Sequence, residues 1–239
     1  MISKTISIEN LRWLIAETLV VVLGILIALG LDDYRTAQFE QRLAIEYLER
    51  MEEDLRSDLN YVANVWEPVL ERKRQALDSI APVIRGKSPV PDNIQGFLYN
   101  VSLGGALGTS ASSWYTDLTF QDLRATGNLR LLQDPDIRAA ISRYYERVEA
   151  EALRVERRFT GYVSFVHSVL PGELRGDIDQ DALEQFGIEY AMERVLSNEF
   201  RELVNQEYNL MLFMENRNYA ESATSLLTEL EDYRTTLQN

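Results

Sequence analysis

Carboxylates are the only abundant proton-transfer groups in this 239-residue chain: 38 Asp and Glu stand beside one histidine, His167, and no cysteine. With no thiol and a single imidazole, the chain alone cannot assemble a closed structural zinc site or a multi-histidine catalytic metal site. His167 lies in the apolar stretch VSFVHSVL, and no Gly-x-Ser-x-Gly elbow supplies a nucleophile for it. It reads as a packed or half-exposed helix residue. An enzyme built from this composition would be confined to Asp and Glu as general acid and base, so the expectation is a protein that is not an enzyme and that needs no cofactor.

Three further patterns imitate chemistry. Asp177, Asp179 and Asp181 open like a calcium loop, but Ala182 replaces the glycine of the sharp turn and Ile188 the bidentate glutamate. They read as a solvated loop with a helix cap, and no metal site is expected. Gly104, Gly105 and Gly108 are not followed by lysine, match neither a phosphate loop nor a dinucleotide fingerprint, and read as a hinge. Arg143, Arg147, Arg154 and Arg158 share one side of a helix and could hold an anion. Glu146, Glu149, Glu151 and Glu156 alternate with them, which favours local ion pairs.

The elements that would position these residues are helical. No Pro or Gly occurs from Asp32 to Trp66, and Leu48, Met51, Leu55, Leu59, Val62 and Trp66 recur at steps of three and four. The opposite side, with Glu49, Arg50, Glu53, Ser57 and Asn60, is polar. Pro68 removes a backbone donor and predicts a kink or restart, after which Val69, Leu70, Leu77 and Ile80 resume the stripe. Pro82, Gly86, Pro89 and Pro91 end it. Asp92 can cap a short helix through Leu103, and another runs from about Trp114 to Ala125 and stops at Gly127-Asn128. Asp134-Pro135 opens a helix expected to reach Val169, where Pro171-Gly172 breaks it. A short helix near Asp181 to Phe186 and a long one from about Glu189 to Leu237, interrupted near Asn198, complete an all-α pattern. Tyr145, Phe159, Tyr162 and Val166, like Tyr208, Met211, Leu212 and Tyr219, are spaced as core stripes.

The chain begins differently. Trp13 to Leu31, WLIAETLVVVLGILIALGL, is nearly all apolar, carries Glu17 and closes on Asp32-Asp33. Nineteen residues at about 1.5 Å each reach about 28 Å, close to the thickness of bilayer hydrocarbon. A cleaved signal peptide competes with this reading, because Ala28-Leu29-Gly30 offers small residues, but the leader is weakly basic and contains Glu9. The expectation is an N-terminal transmembrane helix (13–31) after a short leader (1–12). An elongated bundle of long antiparallel helices follows: a long kinked helix (32–86), a short helix and Gly/Ser-rich loop (87–113), and a bundle (114–239). Basic residues are nearly balanced across the span, with Lys4 and Arg12 before it and Arg35, Arg42 and Arg50 after it. The short leader places the N-terminus inside a bacterial inner membrane and the domain in the periplasm. Trp13, Glu17, Gly24 and Ala28 form the candidate membrane and partner interface. Glu17 would meet another span or snorkel, and Gly24 and Ala28 are a small-x-x-x-small pair that admits close helix approach.

The blocks AETLVVVLGILIALGLDDYR, EYLERMEEDLRSDL and LTFQDLRATGNLRLLQDPDIRAAISRYY together resemble a bacterial family of single-span membrane proteins with no assigned reaction. The resemblance covers about two thirds of the chain. It implies a membrane location and a helical domain outside the cytoplasm.

The formal charge of −14 lies entirely beyond Leu31, since Lys4, Arg12, Glu9 and Glu17 cancel. Such a domain repels phosphate backbones, and nucleic acid is not an expected partner. The expected partners are the lipid bilayer and either a second copy of the chain or another membrane protein. The expected function is a non-enzymatic anchored scaffold or accessory subunit. The alternative is a partner-dependent extracytoplasmic sensor bundle that binds a small ligand.

Overall fold

The computed structural model describes residues 8–106, 115–156, 160–170, 172–173, 177–178, 187–215 and 219–238. Side chains are described throughout these except at 8–12, 14–16, 154–156, 172–173 and 177–178. The described chain is helical apart from a two-residue antiparallel pair, Gly172–Glu173 with Asp177–Ile178.

Helix α1 spans Ile8–Tyr61 and passes through a π-turn, Val62–Trp66, into α2, Glu67–Ile84. The π-turn follows from Pro68, which has no N–H to give to the carbonyl four residues back and whose ring crowds it. The Glu67 N–H bonds to the Val62 carbonyl, and the Asn64 side chain donates to the Asn60 carbonyl at 2.9 Å. The expected kink is therefore a widened turn within a continuous rod. Pro82 is tolerated inside α2, which closes beyond it: Gly86, at φ 68°, gives its N–H to Val83, and the Lys87 N–H reaches Pro82. That pairing satisfies the last carbonyls and needs the left-handed backbone that glycine adopts cheaply.

The remaining elements return along this rod. Helix α3 is Ile94–Leu103 and α4 is Leu118–Ala125, with a 3-10 turn at Asn128–Leu131. Helix α5 is Pro135–Glu156 and α6 is Tyr162–Val169. Helices α7 (Ile188–Val195), α8 (Asn198–Glu215) and α9 (Tyr219–Gln238) complete the chain. Helix α9 runs antiparallel to α1: Arg234 meets Glu52 at 2.6 Å and Arg56 meets Glu231 at 2.6 Å. Helix α8 runs antiparallel to α2, with Tyr208 donating to Asp78 and Arg201 to the Ile84 carbonyl. Helix α5 packs on α9, and α3 and α6 cover the α2–α8 half. The core follows the predicted stripe, with Leu48, Met51 and Leu55 fully buried and Val62 and Trp66 nearly so. Leu59 is only partly buried, and Leu212 is exposed.

Several boundaries differ from expectation. The cap of α3 is Asn93, whose side chain accepts from the Gly96 N–H at 2.9 Å, and not Asp92. Helix α4 begins at Leu118, and Trp114 lies outside the described residues. Asp134 caps α5 as expected, accepting from the Asp136 and Ile137 N–H groups. The helix does not continue to Val169 but ends at Glu156, and α6 starts after Gly161 at φ 21°. The expected interruption of the C-terminal helix near Asn198 is present, between Val195 and Asn198, and the part beyond it is two helices, α8 and α9. The expected helix at 181–186 lies outside the described residues.

Location needs a larger correction. Among the described residues no helix is long and apolar enough to cross a membrane. This overturns the transmembrane helix and the single-pass inner-membrane location with a periplasmic domain. The carboxylates set the limit. Glu17 and Asp32 bracket fourteen residues, Thr18 to Leu31, about 21 Å of helix against roughly 30 Å of hydrocarbon.

Candidate functional site

The four residues expected at an interface all lie on α1. At about 100° per residue, Trp13, Glu17, Gly24 and Ala28 fall within one narrow arc of the helix. Every residue from Glu17 to Phe39 is exposed, as is Trp13. The apolar side chains Leu19 to Leu31 stand between 47% and 71% exposed. A Cβ at Gly24 would meet no atom within 4 Å, so the small-residue face is open for close approach.

The polar chemistry of the interior lies elsewhere. Lys73 of α2 and Glu207 of α8 form a buried ion pair, both essentially without exposed surface. The Lys73 ammonium also donates to the Ala106 carbonyl at 2.8 Å, and the Thr160 hydroxyl donates to the second Glu207 oxygen. Burial pushes the Lys73 ammonium below its ordinary pKa, and Glu207 opposes that shift. Beside them the buried Tyr162 hydroxyl donates to the Val101 carbonyl at 2.7 Å. Gly104 lies against that ring: a Cβ there would come within 2.5 Å of the Tyr162 oxygen and 3.0 Å of Leu77. Gly104 is thus a close-packing glycine and not the expected hinge; Gly108 lies outside the described residues. No substrate can reach a fully closed pair, so this cluster ties α2, the end of α3, the start of α6 and α8 together.

A second cluster joins α1 to α4 and α5. Asp58 accepts from the Thr116 N–H at 3.0 Å and hydroxyl at 2.9 Å, and Asp54 accepts from Thr119 at 2.6 Å. Burial, with smaller contributions from Asp54 and Asp117, raises the Asp58 carboxyl to about 6 against the two Thr116 bonds. Tyr144 and Tyr145 are buried nearby with hydroxyls that have no hydrogen-bond partner among the described residues. Burial raises both phenols above their ordinary range. The Tyr145 ring stacks on Phe120 at 4.4 Å.

Two grooves open on the surface. One, about 480 Å³, lies between α5 and α9; the other, about 350 Å³, lies at the π-turn between Trp66 and Tyr219. Of the four arginines expected on one helix side, Arg143 and Arg147 line the first groove. Arg147 pairs with Glu151 at 3.3 Å, as expected. Arg143 makes no ion pair among the described residues. The side chains of Arg154 and Arg158 lie outside them, as do Asp179 and Asp181. Among the described residues no three potential ligands gather around a metal position, and His167 is exposed on α6.

Lys73, Glu207 and Asp58 escaped the sequence reading, yet a signal existed. Lys73 interrupts the apolar stripe Leu70, Leu77, Ile80, and Glu207 interrupts Phe200, Val204, Met211, Met214 at helical spacing. A charge on a buried stripe demands a partner.

No family model, no curated protein and no solved structure matches this chain.

Proposed function

We propose that this chain is a non-enzymatic helical scaffold or accessory subunit that works by association through the apolar segment of α1. A single observation carries this reading: the segment from Leu19 to Leu31 is apolar on every side and uncovered by the rest of the described chain. A helix that is apolar all round is stable only when buried, and a contiguous exposed patch of this kind marks an interaction surface. A second copy of the chain is the occupant this segment fits, because the face carrying Gly24 and Ala28 lets two identical helices approach closely. The residues from Asp32 onward then project the acidic helical body away from the contact, free to engage other proteins through its surface.

Sedimentation of the full chain in mild detergent tests this, compared with Leu23→Lys and Ile27→Lys in the exposed segment. A discrete oligomer that the substitutions dissociate supports association. A monomer, or capture of the chain by neutral phosphatidylcholine vesicles with no oligomer formed, overturns it.

A further inference from the structure

The groove between α5 and α9 combines features that the scaffold reading does not use. Helix α5 contributes two cations from one face, Arg143 and Arg147, and helix α9 contributes Ser222, Ser225 and the carboxylates of Glu221 and Glu229. Like charges at i and i+4 repel along a helix unless an anion lies between them. Arg147 has Glu151, whereas Arg143 has no ion-pair partner among the described residues. On the other wall the Glu229 carboxylate receives, among the described residues, only the Ser225 hydroxyl, at 3.4 Å. Cations and carboxylates thus face one opening of about 480 Å³, and neither Arg143 nor Glu229 is paired across it among the described residues.

Residue size explains the separation. Ala140, Ser222 and Ser225 are small and leave the two walls apart, while the buried Tyr144 and Leu226 close the bottom with apolar surface. A guanidinium fork matches a carboxylate in two parallel hydrogen bonds, and a carboxylate flanked by hydroxyls accepts from an ammonium. A low-dielectric floor strengthens both contacts. The volume falls within the range of small-ligand sites.

We propose that this groove binds an α-amino acid with an aliphatic side chain. Its carboxylate meets Arg143, its ammonium meets Glu229 and the serines, and its side chain rests on Tyr144 and Leu226. A bare anion would satisfy one wall and be repelled by the other, and a bare amine the reverse.

Isothermal titration calorimetry on the full chain tests this with L-leucine, 4-methylpentanoate and 3-methylbutylamine as probes. L-leucine is expected to bind saturably at one site per chain, with the two half-ligands weaker by roughly tenfold or more. Arg143→Gln and Glu229→Gln, both exposed positions, should each weaken L-leucine by about tenfold or more, and Glu146→Gln outside the groove should leave it unchanged. No saturable binding of L-leucine, equal binding of 4-methylpentanoate, or unchanged affinity in Arg143→Gln overturns the proposal.

Discussion

Lys73 and Glu207 are 134 positions apart in sequence and meet where water cannot follow, joining the outgoing rod to its returning partner. An ion pair in such a place is not a large net source of stability, since two desolvated charges largely offset their own attraction. Its effect is to make the register of α2 against α8 costly to change, because any slip strands a charge.

Removing one partner is therefore expected to be far worse than removing both. Lys73→Met should cost about 3–5 kcal/mol by leaving Glu207 buried and uncompensated. Adding Glu207→Leu should recover most of that loss, with the Thr160 hydroxyl accounting for the remainder. Urea denaturation of the two variants checks this, and a double variant no better than the single one refutes it.

Asp58 sets a pH dependence of definite sign. Its folded pKa, about 6, lies above the ordinary aspartate value near 3.9, so between these values the folded chain holds a proton that the unfolded chain has released. The stability contributed by that proton falls as pH rises from about 4 through 6, then levels off. Asp58→Asn should stabilise the protein at pH 7.5 by about 1 kcal/mol after allowance for solvent screening, and should leave it little changed at pH 4. Thermal melts of wild type and variant across this range give the comparison; parallel curves would exclude the effect.

The buried Tyr145 hydroxyl, without a partner among the described residues, carries a desolvation cost with no bond in return. Tyr145→Phe keeps the stack on Phe120 and should raise stability by about 1 kcal/mol, the low end for an unsatisfied buried group. A loss of stability would show that the hydroxyl has a partner in the native protein.

At Gly104 the prediction runs the other way. An added methyl group would press on the Tyr162 oxygen, which is fixed by its bond to Val101. Gly104→Ala should destabilise the chain by about 1–3 kcal/mol, typical of overpacking. Calorimetric melting measures this, and an unchanged midpoint would mean that the ring can give way.

Local signals in the sequence were legible where the physics is local. The stripe Leu48, Met51, Leu55, Val62, Trp66, the glycine end at Gly127 and the Asp134-Pro135 start all depend on residues within a turn or two of each other. Helix lengths were less legible: a stripe continues across a break, so α5 and α6 read as one helix, and after Glu189 the break near Asn198 was legible whereas the separate start of α9 at Tyr219 was not. Glycines were ambiguous for a similar reason, since the need for Gly104 lies in a ring 58 positions later in the chain. Half of the α5–α9 groove was visible as arginines on one helix side. Its other half was not, because spacing on α5 says nothing about which carboxylates α9 will hold opposite. The apolar segment of α1 was plain in composition, but the charges at Glu17 and Asp32, and not its average hydropathy, set its usable length.

The π-turn at Val62–Trp66 holds one residue more than an α-helical path of the same rise, so it acts as a phase shifter within the rod. Winding the same residues as a regular α-helix, with no widened turn, would rotate everything downstream by about 100°. Lys73 would then swing out of reach of Glu207 while the α1 contacts with α9 stayed in place. The two ends of the rod face their respective partners because of this irregularity, and a more ideal helix would fit only one of them.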